Sequence, residues 1–248
     1  KYIPDARHIE VQVLGDHYGN VIHLFERECS VQRRHQKLIE ETPAPMFSDA
    51  QRSAITEAAL TAAKGIGYQN AGTFEFLVDS DGEFYFLETN TRLQVEHGIT
   101  EMTTGIDLVE QQIRVAAGEP LSITQADIRP QGHSLEVRIC AEDPVTFLPS
   151  PGPLTEWSVP TGDGIRVEAG VRAGDEVSSY FDPLIAKVLV HADDRPAAIE
   201  KLITTLRDSR VEGIKTNIPF HIKALESEKF RDGSYTTELA AQLTAPTP

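Results

Sequence analysis

Residues 8–14, HIEVQVL, alternate strictly, with Ile9, Val11 and Val13 on one side and His8, Glu10 and Gln12 on the other. A period of two with one apolar side predicts a half-buried β-strand. The GDHYGN cluster at 15–20 turns the chain, and VIHLFE at 21–26 returns as a second strand. Residues 27–45 read as polar and irregular, ending in the rigid TPAP stretch. Ser48 or Asp49 can cap a helix that runs to about Lys64, where Gly65 and Gly67 stop it. TFEFLV (73–78) and EFYFLE (83–88) are predicted strands joined across Asp81-Gly82, and IDLVEQQIRVAAG (106–118) has helical period. Residues 119–132 read as a linker.

The pattern then restarts. HSLEVRICAE (133–142), IRVEAGV and AKVLVHA are strand candidates, and 143–164 is rich in proline and reads as an irregular loop. Asp194-Arg195-Pro196 opens a helix over about 195–209, with the proline in the first turn where its missing N–H costs little. A further short helix is predicted near 218–227. The expected class is α+β in two segments, 1–117 and 133–242.

A chain of 248 residues has room for one or two domains. The net charge of −15 argues against nucleic acid as the main partner, because a polyanion would be repelled. It leaves room for a small anion held by a few local cations. No apolar run approaches the ~20 residues that a membrane span needs. Cys29 and Cys140 form no CxxC and no zinc spacing, so the expectation is a reducing cytoplasm and two packing residues. The chain opens Lys-Tyr-Ile-Pro, which reads as a piece of a longer polypeptide.

The candidate chemistry starts at the hairpin. A two-residue turn at Asp81-Gly82 would set Glu75 opposite Glu88, with Cβ atoms roughly 4.5–5.5 Å apart. On this reading Glu88 shares a face with Phe84 and Phe86. Two facing, partly desolvated carboxylates need a shared proton or a cation, and oxygen donors suit Mg²⁺ or Mn²⁺. Two solvated glutamates on an exposed face are the plain alternative. Beyond Glu88, an extended chain would point Asn90, Arg92, Gln94 and Glu96 the same way. Arg92 could grip a planar oxyanion and Glu96 could accept its proton. The run QRRHQK at 32–37 is either a solvated loop or a phosphate-facing segment, with Lys37 as the point charge and Gln32 and His35 as donors.

The stretches RHIEVQVLGD (7–16), ERECSVQRRHQKLIEETPAP (26–45), GTFEFLVDSDGEFYFLETNTRLQVEHGITE (72–101), EVRICAEDP (136–144), FLPSPG (147–152), YFDPLIAKVLVHADDRPAAI (180–199) and GIKTN (213–217) resemble the biotin carboxylase component of biotin-dependent carboxylases, an ATP-grasp family. The resemblance implies an ATP-grasp antiparallel sheet with helices, of which 1–117 is the C-terminal part, and a biotin carboxylase C-terminal domain at 133–242. It implies ATP-dependent carboxylation of biotin, carried on a partner protein or domain, with bicarbonate and through carboxyphosphate. Glu75, Glu88 and Asn90 would hold the metal on the ATP phosphates. Arg92, Gln94 and the Val95 backbone N–H would hold bicarbonate, with Glu96 as its base. Lys37 would serve the γ-phosphate, and Arg138 would steady the biotin enolate. His8, Gln32 and His35 would line the ribose and phosphate side, and Tyr2 and Ile3 the adenine. A carboxyltransferase and a homo-oligomer are the other implied partners.

Departures shape these expectations. The family's N-terminal domain and glycine-rich lid precede the first matching stretch, so residues 1–248 alone are expected to turn nothing over. Gly98 stands where the family usually has proline. The competing readings are a non-catalytic ATP-grasp assembly or regulatory module and an ATP-grasp ligase joining a carboxylate to an amine; the intact acidic and basic set disfavours the first, and Arg138 with FLPSPG the second. The final carboxyl acceptor (acetyl-CoA, propionyl-CoA, pyruvate or urea) is left open.

Overall fold

The alternation at 8–14 builds an interior strand of a sheet. In the computed structural model, which describes residues 2–245, β1 (Arg7–Gly15), β2 (Val21–Arg33) and β3 (Gln36–Thr42) run antiparallel, followed by α1 (Asp49–Gly65), β4 (Asn70–Val78), β5 (Phe84–Asn90), α2 (His97–Thr104) and α3 (Leu108–Ala116). Next come β6 (His133–Cys140), β7 (Gly152–Pro153), β8 (Glu156–Ser158), β9 (Ile165–Ala169), β10 (Glu176–Val177) and β11 (Leu184–Ala192). The chain ends with α4 (Arg195–Asp208), β12 (Arg210–Glu212), α5 (Ile218–Glu226), α6 (Glu228–Arg231) and α7 (Leu239–Thr244). Eight strands form one sheet in the order β5-β4-β1-β2-β3-β6-β11-β9. The class is α+β. Because β3 pairs with β6, one sheet runs through both predicted segments.

Several expectations need correction. Residues 27–45 are not irregular: β2 continues through Arg33 and β3 fills Gln36–Thr42. Register shifts between Glu28 and Val31 and between Val31 and Gln32 break the period there, and burial on both faces removes the contrast on which a strand is read. β1 is not half-buried, since Glu10 and Gln12 are as inaccessible as Ile9 and Val11. Residues 119–132 are docked rather than loose: the Leu121 N–H donates to Asp16 Oδ2 at 2.9 Å, and Gln125 Nε2 donates to the His23 carbonyl at 3.0 Å. Within 143–164, β7 and β8 are short strands paired with β10 and β12.

The apolar side of the sheet is covered by helices. Ile9, Val11, Val13, Phe74 and Phe76 pack with Ile55, Ala59 and Ala63 of α1. Val137 and Val188 pack with Ala198, Leu202 and Leu206 of α4. Helix α1 starts in a full capping box: Ser48 Oγ accepts from the Gln51 N–H at 3.2 Å, and the Gln51 side chain accepts from the Ser48 N–H at 3.0 Å. Such a cap is worth about 1 kcal/mol. Among the described residues no helix is long and apolar enough to cross a membrane.

Candidate active site

The other side of the sheet is buried yet polar, and burial of that kind requires partners. Glu75 does pair with Glu88 across β4 and β5, but for a different reason than a two-residue turn. The turn is wider, with the Asp79 N–H donating to the Glu83 carbonyl at 3.0 Å and Gly82 at φ +84°. That turn sets Phe76 against Phe86; one extra residue, Leu87, then restores the Glu75–Glu88 pairing. The bulge also turns Glu88 away from the Phe86 face, contrary to the expectation that they share one.

The chain does not stay extended after Asn90. It bends, and α2 begins at His97, whose N–H donates to the Gln94 carbonyl at 3.4 Å. The bend carries Gln94 and Glu96 under the sheet, where both are buried, and leaves Arg92 exposed. Arg92 donates to Leu93 O at 3.3 Å and Asn90 Oδ1 at 3.4 Å.

A continuous network results. Asn90 Nδ2 donates to Glu88 Oε1 at 3.1 Å and to Glu75 Oε1 at 2.9 Å. Gln94 Nε2 donates to Glu75 Oε1 at 2.7 Å, and His8 Nε2 lies 2.6 Å from Glu75 Oε2. Lys37 Nζ donates to Glu10 at 2.5 Å, to Glu96 at 2.7 Å and to Glu75 at 3.1 Å. Arg138 spans Glu96, at 2.9 Å from its terminal nitrogen, and Glu40, at 2.7 Å from Nε. Gln32 Nε2 is 3.3 Å from His8 Nδ1. Burial would raise the carboxyl of Glu75, but His8 and Lys37 outweigh it and hold the group well below the usual range. Burial likewise opposes ionisation of Lys37, and Glu10 overrides it, pushing the ammonium up.

Two expected residues stand apart. His35 is exposed in the β2–β3 turn at φ 65°, with no hydrogen bond to the site among the described residues. Tyr2 is 82% exposed, whereas Ile3 is buried. The free cysteines Cys29 and Cys140 are buried, and burial pushes both thiols up, Cys140 to about 12.

Sequence reasoning missed Arg27, which is wholly buried. It donates to Glu10 at 2.5 Å, Gln12 at 2.8 Å, Thr100 at 2.9 Å and Gln94 at 3.0 Å. Burial and then Arg27 and Lys37 act on Glu10 in opposite senses, and the cations hold it at about 2. The signal was present: β1 and β2 set Glu10 opposite Arg27, and HIEVQVL had already placed Glu10 with His8 and Gln12. Lys187 was also missed; its ammonium donates to the Val95 carbonyl and lies 3.0 Å from Glu168.

The carbamoyl-phosphate synthase L chain ATP-binding domain model matches residues 1–124, and the biotin carboxylase C-terminal domain model matches residues 136–242. The chain belongs to the biotin carboxylase family. Biotin carboxylase 2 of Bacillus subtilis is 56% identical over 242 residues, covering 98% of this chain and 54% of that protein. The biotin carboxylase of Halalkalibacterium halodurans is 52% identical over 237 residues, covering 96% and 52%. Among solved structures, the biotin carboxylase–βγ-ATP complex from Campylobacter jejuni superposes with a TM-score of 0.95 at 50% identity, covering 98% of this chain and 54% of that one. The biotin carboxylase domain dimer of Hydrogenobacter thermophilus 2-oxoglutarate carboxylase, with MgADP, ADP and bicarbonate, gives 0.96 at 47% identity, covering 100% and 56%. The chain thus spans about half the length of the biotin carboxylases it matches. The ATP-grasp sheet followed by a biotin carboxylase C-terminal domain is the fold of this family.

Proposed function

We propose that this chain supplies the phosphate, bicarbonate and biotin side of a biotin carboxylase that uses ATP and bicarbonate to carboxylate biotin on a carrier protein or domain. The observation that carries the reading is Glu96: a buried carboxylate fixed between Lys37 at 2.7 Å and Arg138 at 2.9 Å, next to the Glu75–Asn90–Glu88 oxygen cluster. Residues 1–117 form the ATP-grasp part and 133–242 the C-terminal domain of this proposal.

The donor set fits a hard divalent cation, because Glu75, Glu88 and Asn90 offer oxygens from one face of a hairpin. Mg²⁺ or Mn²⁺ bound there would screen the charge of the ATP phosphates during transfer. Lys37 adds a fixed cation beside them. His8 and Gln32 face the ribose and phosphate side, with Tyr2, Ile3 and His35 along the nucleotide. Arg92, Gln94 and the Val95 N–H orient bicarbonate, and Glu96 takes its proton. The bicarbonate oxygen then attacks the γ-phosphorus, ADP leaves and carboxyphosphate forms. Its collapse yields CO₂ and phosphate; the phosphate takes the N1′ proton of biotin, and the enolate attacks CO₂. Arg138 stabilises the charge on the ureido oxygen. A carboxyltransferase receives the carboxyl group, a second copy of the chain is the homo-oligomer partner, and the two free buried cysteines fit a reducing cytoplasm.

The test uses the intact protein that contains this chain. Glu96→Gln removes bicarbonate-dependent ATP cleavage while the fold is kept. Unchanged cleavage overturns Glu96 as the base. A wild-type protein without such cleavage favours the non-catalytic module instead.

A further inference from the structure

Behind Arg138 lies a pair of carboxyls that the proposed reaction does not use. β3 and β6 set Glu40 directly opposite Glu136, and neither residue reaches solvent. Glu40 Oε1 accepts from Arg138, but among the described residues Glu40 Oε2 and both oxygens of Glu136 have no hydrogen-bond partner. Three bare oxygens on two wholly buried carboxyls are far from the usual outcome for such groups.

The surrounding charges do not repair this. Arg138 on β6 is divided between Glu40 and Glu96. Lys37 on β3 is committed to Glu10, Glu75 and Glu96. Lys187 on β11 stands 3.8 Å from Glu136 Oε2, but its ammonium is bonded to the Val95 carbonyl and paired with Glu168 of β9 at 3.0 Å. From the α2 side come Glu96, an anion, and His97, whose imidazole burial disfavours charging. Two carboxyls set opposite each other across β3 and β6 in such a place do not both ionise, and a proton on one of them removes one of the two bare buried charges.

We propose that Glu40 and Glu136 hold one proton between them and act as positioning residues for Arg138, with Glu40 carrying the single negative charge that orients the guanidinium. The proposal rests on the roles given above to Arg138 and Glu96. Burial and then Glu40 push the Glu136 carboxyl well above the usual range. Burial pushes Glu40 up as well despite Arg138, and Glu96 adds to the rise. The consequence is coupling: a proton arriving on Glu96 removes a negative charge that keeps the pair protonated. The pair therefore gives up its proton more readily when Glu96 is loaded.

Infrared spectroscopy of the intact enzyme tests this through the C=O stretch of a protonated carboxyl. Wild type shows that band above pH 7, where Glu40 is the charged partner, and Glu136→Gln removes it. Glu40→Gln lowers kcat for biotin carboxylation about tenfold or more, because Arg138 loses its buried anchor, and Glu136→Gln, which keeps shape and neutrality, by no more than about threefold. Glu136→Gln also removes the inflection that the pair contributes to the pH profile of biotin carboxylation. It melts no lower than wild type at alkaline pH. A wild type without the band, or a folded Glu136→Gln as damaged as Glu40→Gln, overturns the proposal. The band does not depend on turnover. A wild type with the band but no biotin carboxylation leaves the shared proton standing and sinks the functional reading on which its positioning role rests.

Discussion

Glu40 and Glu41 are consecutive residues of β3, both fully buried and on opposite faces of the sheet. Glu41 receives His133 Nε2 at 2.6 Å, Arg195 at 2.7 and 2.9 Å and the Tyr235 hydroxyl at 2.5 Å. Burial would raise its carboxyl, but His133 and Arg195 hold it at about 2. Among the described residues Glu40 accepts from Arg138 alone and shares it with Glu96; burial pushes its carboxyl to about 7. Equal burial therefore gives opposite outcomes, and the supply of donors decides which. The saturated carboxyl ties β3 and β6 to α4 and the segment before α7. The undersupplied one lies behind the candidate active site, where a charge that can change is useful.

The largest effect expected from this contrast is on stability. Glu41→Ala leaves Arg195 and Tyr235 without their partner and costs about 3–5 kcal/mol in denaturant unfolding. Glu40→Ala costs less, about 1–3 kcal/mol, because fewer donors are stranded. Equal losses would break the comparison.

The pH dependence sharpens it next. The Glu41 carboxyl is depressed from 4.5 to about 2, so its contribution is present above 4.5 and is lost as pH falls toward 2. At 1.36 kcal/mol per unit it amounts to about 3 kcal/mol. The Glu40 carboxyl is raised from 4.5 to about 7, so its contribution is present below 4.5 and is lost as pH rises toward 7. Urea unfolding of wild type, Glu41→Gln and Glu40→Gln across acid and neutral pH should show the two windows separately. A Glu41→Gln curve that runs parallel to wild type below pH 4.5 would contradict the first of them.

The smallest stability effect belongs to the exposed end of the network. Glu88 is exposed, and Glu88→Gln should change unfolding free energy by no more than about 0.5 kcal/mol. The same substitution in the intact enzyme should raise the Mg²⁺ or Mn²⁺ concentration needed for half-maximal ATP cleavage. Unchanged metal dependence would remove Glu88 from the metal site.

Much of the frame was legible because local signals agreed with one another. The Ser48 cap, the proline in the first turn of α4 and the alternation of β1, β6 and β11 all act within a few residues. The pairing of Glu75 with Glu88 was also reached, although through two errors that cancel: a turn too tight by one residue and an unseen bulge at Leu87. What escaped was set by tertiary contacts. β2 and β3 are buried on both faces, so residues 27–45 lost the apolar–polar contrast that marks a strand. Arg27 reads as a surface cation until Glu10, Gln12, Gln94 and Thr100 are brought around it. His35 is exposed in the β2–β3 turn and takes no part in the protein's own network, so its proposed contact is with the nucleotide alone. The sharing of one sheet by both segments depends on the β3–β6 pairing, which no local pattern announces.

The central claim is that Glu96 and Arg138, though joined at 2.9 Å, serve different steps of one reaction. It is tested most directly by Arg138→Gln in the intact enzyme, with bicarbonate-dependent ATP cleavage and biotin carboxylation measured side by side. Loss of one preorganised donor to developing charge costs about 2.7–4 kcal/mol, or roughly 10²–10³ in rate. The account predicts that loss in biotin carboxylation, with much of the ATP cleavage kept. A parallel fall of both activities with a lowered melting temperature would contradict it and leave Arg138 as a structural ion pair.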